Sequence, residues 1–175
     1  AFPDIYEIGM SYLGLQILYH ELNQCENIFC QRVFAPAVDM EKLMREEGVP
    51  LMTLEAKMPL REMDIVGFTL QYEMSFTTVL NMLDLAKIPV FAAERNENDP
   101  LIIAGGPCAF NPEPLTDFID VFLIGDGEKL LPAFVEKYID CKKKGMAKAD
   151  CLRELSKLQG VYVPSLYDVK YNDDG

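Results

Sequence analysis

The chain has 175 residues, 50% of them hydrophobic, which is enough for one full core and too few for a second domain of ordinary size. A formal net charge of -12 and an isoelectric point near 4.5 argue against direct binding of nucleic acid or an anionic membrane, and point to a neutral ligand or another protein as partner. No apolar stretch reaches the roughly 18 residues of a spanning helix, no basic and apolar leader opens the chain, and the five cysteines fall at irregular intervals, so a cytoplasmic protein with reduced thiols and no bound metal is expected.

Short strand candidates alternate with helical patterns, the signature of βαβ units around a parallel sheet. Residues 1–3 read as the tail of a first strand. Apolar residues at Met10, Leu13, Ile17 and Leu18 predict an amphipathic helix over 10–23, and 28–35 reads as a second strand. Asp39 is placed to cap a helix over 40–47, which Gly48 and Pro50 end. Residues 51–54 suit a short extension at a sheet edge. The continuous apolar run within 64–70 predicts a central strand buried on both faces.

A helix over 75–86 is broken by Pro89. A polar loop at 95–100, a strand at 101–104, a helical turn near 114–118 and a last core strand at 121–124 follow. The long helix over 128–144 ends in Lys142, Lys143 and Lys144, which suit its C-terminus. This closes a unit of residues 1–144. Residues 145–175, with a helical pattern at 149–158 and a strand-like 161–164, are expected to be a connector. Ala1, without Met, and the Asn172-Asp173-Asp174-Gly175 end both look like cuts inside a longer protein.

Three turn motifs stand where parallel strands should end: Asp4-x-Tyr6-x-x-Gly9, Gly105-Gly106-Pro107-Cys108 and Gly125-Asp126-Gly127-Glu128. Loops leaving the carboxyl ends of such strands form the ligand crevice of an open α/β sheet, so these and the loop at 69–72 are expected to share one site. Asp4 can accept from the backbone of its own turn, and Gly9 permits close backbone approach. Gly105 and Gly106 either serve only a sharp turn or leave the backbone bare for a planar ligand. His20, the only histidine, sits mid-helix with no second His or Cys near it, and Cys25 and Cys30 lack a distal pair, so neither supports a metal or a catalytic triad. No catalytic residue is identified.

The order of strand, Gly105-Gly106-Pro107-Cys108, Asn111-Pro112-Glu113-Pro114, Asp120, strand and Gly125-Asp126-Gly127-Glu128 resembles the N-terminal cobalamin-binding-type domain of B12-binding radical SAM proteins. It is most similar to an uncharacterised bacterial subgroup in which VGFTLQYE and IAGGPCAFNPEPLxDF recur. The resemblance implies a doubly wound, flavodoxin-like (Rossmann-like) α/β fold with a mainly parallel sheet. It also implies an accessory role, presenting a corrinoid or a substrate to a radical SAM domain that carries a 4Fe–4S cluster and S-adenosylmethionine. That domain is the expected partner. This chain has no Cys-x3-Cys-x2-Cys and is expected to catalyse nothing alone.

Carried over residue by residue, the resemblance assigns cofactor binding to Asp4, Tyr6, Gly9, Thr69, Gln71, Gly105, Gly106, Cys108, Gly125, Gly127 and Glu128. Thr69 either places its hydroxyl near the corrin or merely caps its strand. Cys108 replaces the family's usual histidine and is either a crevice residue or a buried thiol. Where relatives that ligate cobalt read Asp-x-His-x-x-Gly, this chain has Tyr6, so cobalamin is expected without histidine ligation. Two alternatives stand beside this reading. One is a structural or interaction domain whose crevice is plugged by Tyr6, Tyr72 or Phe110. The other is a flavin or nucleotide binder, which the acidic and bulky residues at 4–8 disfavour.

Overall fold

Three short parallel strands organise the molecule, a computed structural model that describes residues 1–170. Strand β1 (Ile65–Thr69) pairs with β2 (Leu101–Gly105) in the register Ile65↔Leu101, and β2 pairs with β3 (Val121–Leu123) in the register Ile103↔Val121. A fourth strand, β4 (Val161–Tyr162), runs antiparallel on β3. Beyond β1 the pairing continues in fragments. Thr69 N–H donates to the Ala1 carbonyl, Phe2 N–H to Val33 at 2.9 Å, and Ala35 N–H to Asp4 at 2.9 Å. Residues 1–4 therefore lie between β1 and residues 33–35, an arrangement compatible with a doubly wound, Rossmann-like α/β fold.

The helices are α1 (Tyr6–Gly9), α2 (Leu13–Asn23), α3 (Val38–Glu47), α4 (Phe76–Leu85), α5 (Gly127–Lys143) and α6 (Lys148–Leu155). Alternate strand residues feed two cores, as the two-residue period of a strand requires. Val66, Phe68, Ile102, Ala104 and Phe122 meet Val79, Met82 and Leu83 of α4 on one face. Ile103, Val121 and Leu123 meet Phe134 of α5 and Leu155 of α6 on the other. β1 departs from the expected burial on both faces, because Ile65, Gly67 and Thr69 stay half-buried beneath helices that stand off the sheet.

The segment 28–35 is irregular apart from the bridge at Phe34. Two of its backbone donors are taken by side chains: Cys30 N–H donates to Asn23 Oδ1 at 3.0 Å and Arg32 N–H to Glu55 Oε2 at 2.8 Å. The helix expected over 10–23 begins only at Leu13, as α2, and the short α1 precedes it; Tyr12 is extended between them and the Ser11 hydroxyl turns back to the Glu7 carbonyl at 2.9 Å. Asp39 lies inside the first turn of α3, whose N-cap is Ala37, and its carboxylate accepts from Met40 N–H at 2.9 Å. Gly48 ends α3 at φ 68, the left-handed conformation that glycine takes at least cost. Residues 51–54 pair with 58–59 in a small hairpin apart from the main sheet.

The stretch expected as a connector is built into the fold as far as Val163, and residues 165–170 are exposed. Cys151, Leu152, Leu155 and Val163 are buried in the second core, and β4 extends the sheet. Residues 171–175, including the acidic Asn172–Gly175 end, lie outside the described residues. The loop at 95–100 carries two buried charges, Arg95 and Asp99. No described helix is long and apolar enough to cross a membrane.

Candidate functional site

Between the half-buried face of β1 and the layer formed by α2 and α5 lies a cavity of about 490 Å³. Its floor is made by the absence of side chains. Gly67 and Gly105 present bare backbone on this face, where a Cβ on Gly67 would come 3.3 Å from Ile103. Its walls are Leu15, Leu18 and Leu22 of α2 and Leu131, Val135 and Ile139 of α5. The helices touch near the top, where a Cβ on Gly127 would meet Leu18 at 3.1 Å.

The cavity opens at the carboxyl ends of the parallel strands, where Thr69, Gln71, Gly105, Gly106, Gly125, Gly127 and Glu128 all line it. Gln71 links both sides of the mouth: it accepts from the Tyr12 hydroxyl at 2.5 Å, and its amide donates to Thr69 Oγ1. Gly106 has φ 100, and a Cβ there would lie 2.8 Å from the Leu70 carbonyl, so the tight turn requires glycine. Gly125, at φ 130, has open space around it.

Four of the residues assigned from sequence do not line this cavity. Asp4 accepts from Ile5 N–H at 2.8 Å and from the Tyr72 hydroxyl, and that hydrogen bond pushes the Tyr72 phenol above its ordinary range. Tyr6 stands on α1, half exposed, edge-on to Phe34 with ring centroids 5.5 Å apart. Gly9 is buried under Phe34, whose ring would lie 2.4 Å from an added Cβ, so it serves close packing. Cys108 packs against the core on the opposite face, where burial, and then Glu73, push its thiol upward.

Several lining residues escaped the sequence reading. Tyr12 was absorbed into a helix, and Gly67 into an apolar strand. Arg32 lines the cavity too, its Nε on Glu55 at 2.7 Å and its guanidinium 4.6 Å from the Tyr19 ring centroid. At the far end stand Lys142 and Lys143. The site offers shape, apolar surface and a few hydrogen-bonding groups, but no acid, base and nucleophile set. Among the described residues no cluster of three or more His, Cys, Asp or Glu is arranged to hold a metal ion, and His20 is exposed on α2. All five cysteines are free thiols.

Residues 14–164 match the family described as the N-terminal region of radical SAM proteins. The chain is also similar to an uncharacterised protein of Methanocaldococcus jannaschii, with 26% identity over 129 residues that make up 73% of this chain and 23% of that protein. It thus spans less than a quarter of that relative's length. No solved structure matches.

Proposed function

The chain belongs to the family of N-terminal domains of radical SAM proteins, and we propose that it serves a longer protein as an accessory domain holding a corrinoid at the carboxyl edge of its sheet. The observation that carries this reading is the glycine-floored cavity opening at that edge. The bare backbone of Gly105 and Gly106 at the mouth suits a broad planar ring, and the apolar space behind it suits the ring's nucleotide tail. The order 33–35, 1–4, β1, β2, β3 is the flavodoxin-like order of such domains, with its switch point beside Asp4 and Thr69.

In this reading Thr69 and Gln71 bond the tail, Gly105 and Gly106 lie under the ring, and Gly125, Gly127 and Glu128 form the opposite rim. Asp4, Tyr6 and Gly9 shape the first loop, and Cys108 supports the second from behind. A bound corrinoid supplies a cobalt centre able to carry an alkyl group or an electron. Tyr6 offers that centre no imidazole. S-adenosylmethionine and a 4Fe–4S cluster belong to the remainder of the longer protein, and the exposed Ile8, Leu13, Met74 and Phe110 beside the mouth provide apolar surface for docking it.

A second reading, a structural domain that has lost the cofactor, is favoured by one observation: Tyr12, Gln71 and Thr69 already satisfy one another. Against it, none of the expected plugs Tyr6, Tyr72 and Phe110 lines the cavity. Incubation with hydroxocobalamin followed by gel filtration separates the two. Retention of about one equivalent of corrinoid absorbance supports the accessory reading, and elution of colourless protein supports the structural one.

A further inference from the structure

The cavity does not stop where a ligand at the carboxyl edge would. Its lining follows α5 from Gly127 to Lys143, a length of roughly 24 Å at the helical rise. The far end is at the amino edge of the sheet, because Tyr138 on α5 reaches the carbonyl of Asp64, the residue just before β1. There the wall includes Phe29, 68% exposed on the irregular segment that follows α2.

Charge at this end is distinctive in a chain of net charge -12. Lys137 and Lys148 are paired, with Glu154 at 3.5 Å and Asp120 at 3.1 Å. Lys142 and Lys143 form no ion pair among the described residues, and both line the cavity. Lys142 Nζ lies 6.0 Å from the Tyr138 ring centroid. Asp64 lines the cavity at this end, and Glu97 stands near Lys142 and Tyr138 outside it. A helix C-terminus accounts for some cationic preference, but not for an elongated apolar space leading away from the two ammonium groups.

We propose that the amino-edge end of the cavity is a binding site for a long-chain carboxylate, with the acyl chain lying along Val135, Ile139 and Leu22 and its anionic head paired with Lys142 and Lys143. The fit is one of length, polarity and sign: an apolar slot longer than wide, closed at one end by two cations that form no ion pair among the described residues. Pairing an anion with these lysines at a partly apolar boundary strengthens the hydrogen bonds relative to open water. The site goes beyond the corrinoid reading and does not depend on it, since its head-group contacts lie at the opposite end of the cavity; an acyl chain along Leu22 and Val135 shares the apolar space behind the mouth with a nucleotide tail.

The test is a fluorescence titration of the purified protein with cis-parinaric acid, competed by palmitate and by methyl palmitate. Saturable binding is expected, with palmitate displacing the probe about tenfold better than the ester and with the Lys142→Glu/Lys143→Glu double variant binding about tenfold more weakly. Ile139→Trp, which fills the slot without touching the charges, should also abolish probe binding while circular dichroism stays unchanged. No saturable binding by wild type overturns the proposal. Equal displacement by acid and ester, with no effect of charge reversal, overturns it as well, because the slot is then a void without head-group recognition. Hydroxocobalamin retention by the Lys142→Glu/Lys143→Glu variant, whose changes lie away from the carboxyl edge, reports on that edge separately, so failure of one site is distinguished from failure of the other.

Discussion

The Tyr12 hydroxyl donates to Gln71 Oε1 at 2.5 Å, tying the loop before α2 to the end of β1 across the cavity mouth. Tyr12 also leans on Phe2, with ring centroids 5.4 Å apart, and lies over Gly14, where a Cβ would come 2.8 Å from its ring. Tyr12→Phe keeps this packing and removes one hydrogen bond. Urea unfolding should show a loss of about 1 kcal/mol. A variant as stable as wild type would mean that water replaces the bond at no cost and that the mouth is not fastened here.

A second fastening lies at the other edge of the sheet. Asp120 Oδ2 accepts from Arg95 Nε at 3.1 Å and from Ile102 N–H at 2.9 Å, with both side chains buried, and the remaining Arg95 donors meet the carbonyls of Pro89, Val90 and Phe118. Asp120→Ala leaves a buried guanidinium without its counter-charge, and should cost about 3–5 kcal/mol in equilibrium unfolding. Lys148→Met removes the half-exposed partner of the same carboxylate and should cost below about 1 kcal/mol. Equal losses in the two variants would show that burial does not set the value of these pairs.

Alkaline stability should depend on the thiol of Cys151. Burial, and then hydrogen bonding with Cys141, push it from its ordinary 9.0 up to about 12. The folded state therefore holds this proton more tightly than the unfolded state. Its contribution is intact below about pH 9 and is lost as pH rises toward about 12. Chemical denaturation across that window should give a steeper fall for wild type than for Cys151→Ala, whatever the variant's stability at neutral pH. Parallel curves would contradict the assignment.

The two left-handed glycines Gly48 and Gly106 separate conformational cost from crowding. A Cβ on Gly48 meets nothing within 4 Å, so Gly48→Ala should cost about 1 kcal/mol from the backbone alone. At Gly106, with φ 100, the added carbon runs into the Leu70 carbonyl and approaches Gln71 Nε2 at 3.1 Å. Gly106→Ala should therefore cost more, about 3 kcal/mol, and loosen the mouth. Thermal unfolding of the two variants side by side checks the ranking.

How far the sequence reveals this site depends on which signals are local. The apolar runs before Gly105 and Gly125 place β2 and β3 to within a residue or two, because a run too short for a helix and ended by glycine has few other solutions. Gly67 is different. Inside Ile65-Val66-Gly67-Phe68 it reads as one more buried position, yet the missing side chain, with α2 held off the sheet, is what opens the cavity. Nothing local to residues 28–35 announces that Asn23 and Glu55 will take the Cys30 and Arg32 donors, so a strand is expected where an irregular strap forms. Tyr12 is hidden similarly, in a helical pattern that breaks at Ser11.

Electron paramagnetic resonance of cob(II)alamin titrated with the protein tests the central claim most directly. Free cobalamin carries its own benzimidazole nitrogen on cobalt at neutral pH. Housing that base in the cavity removes it from the metal, and Tyr6 supplies no imidazole in its place. The account predicts that nitrogen superhyperfine splitting disappears as the protein approaches one equivalent. Splitting that persists at saturating protein, from unbound cobalamin or from His20 on cobalt, would contradict it.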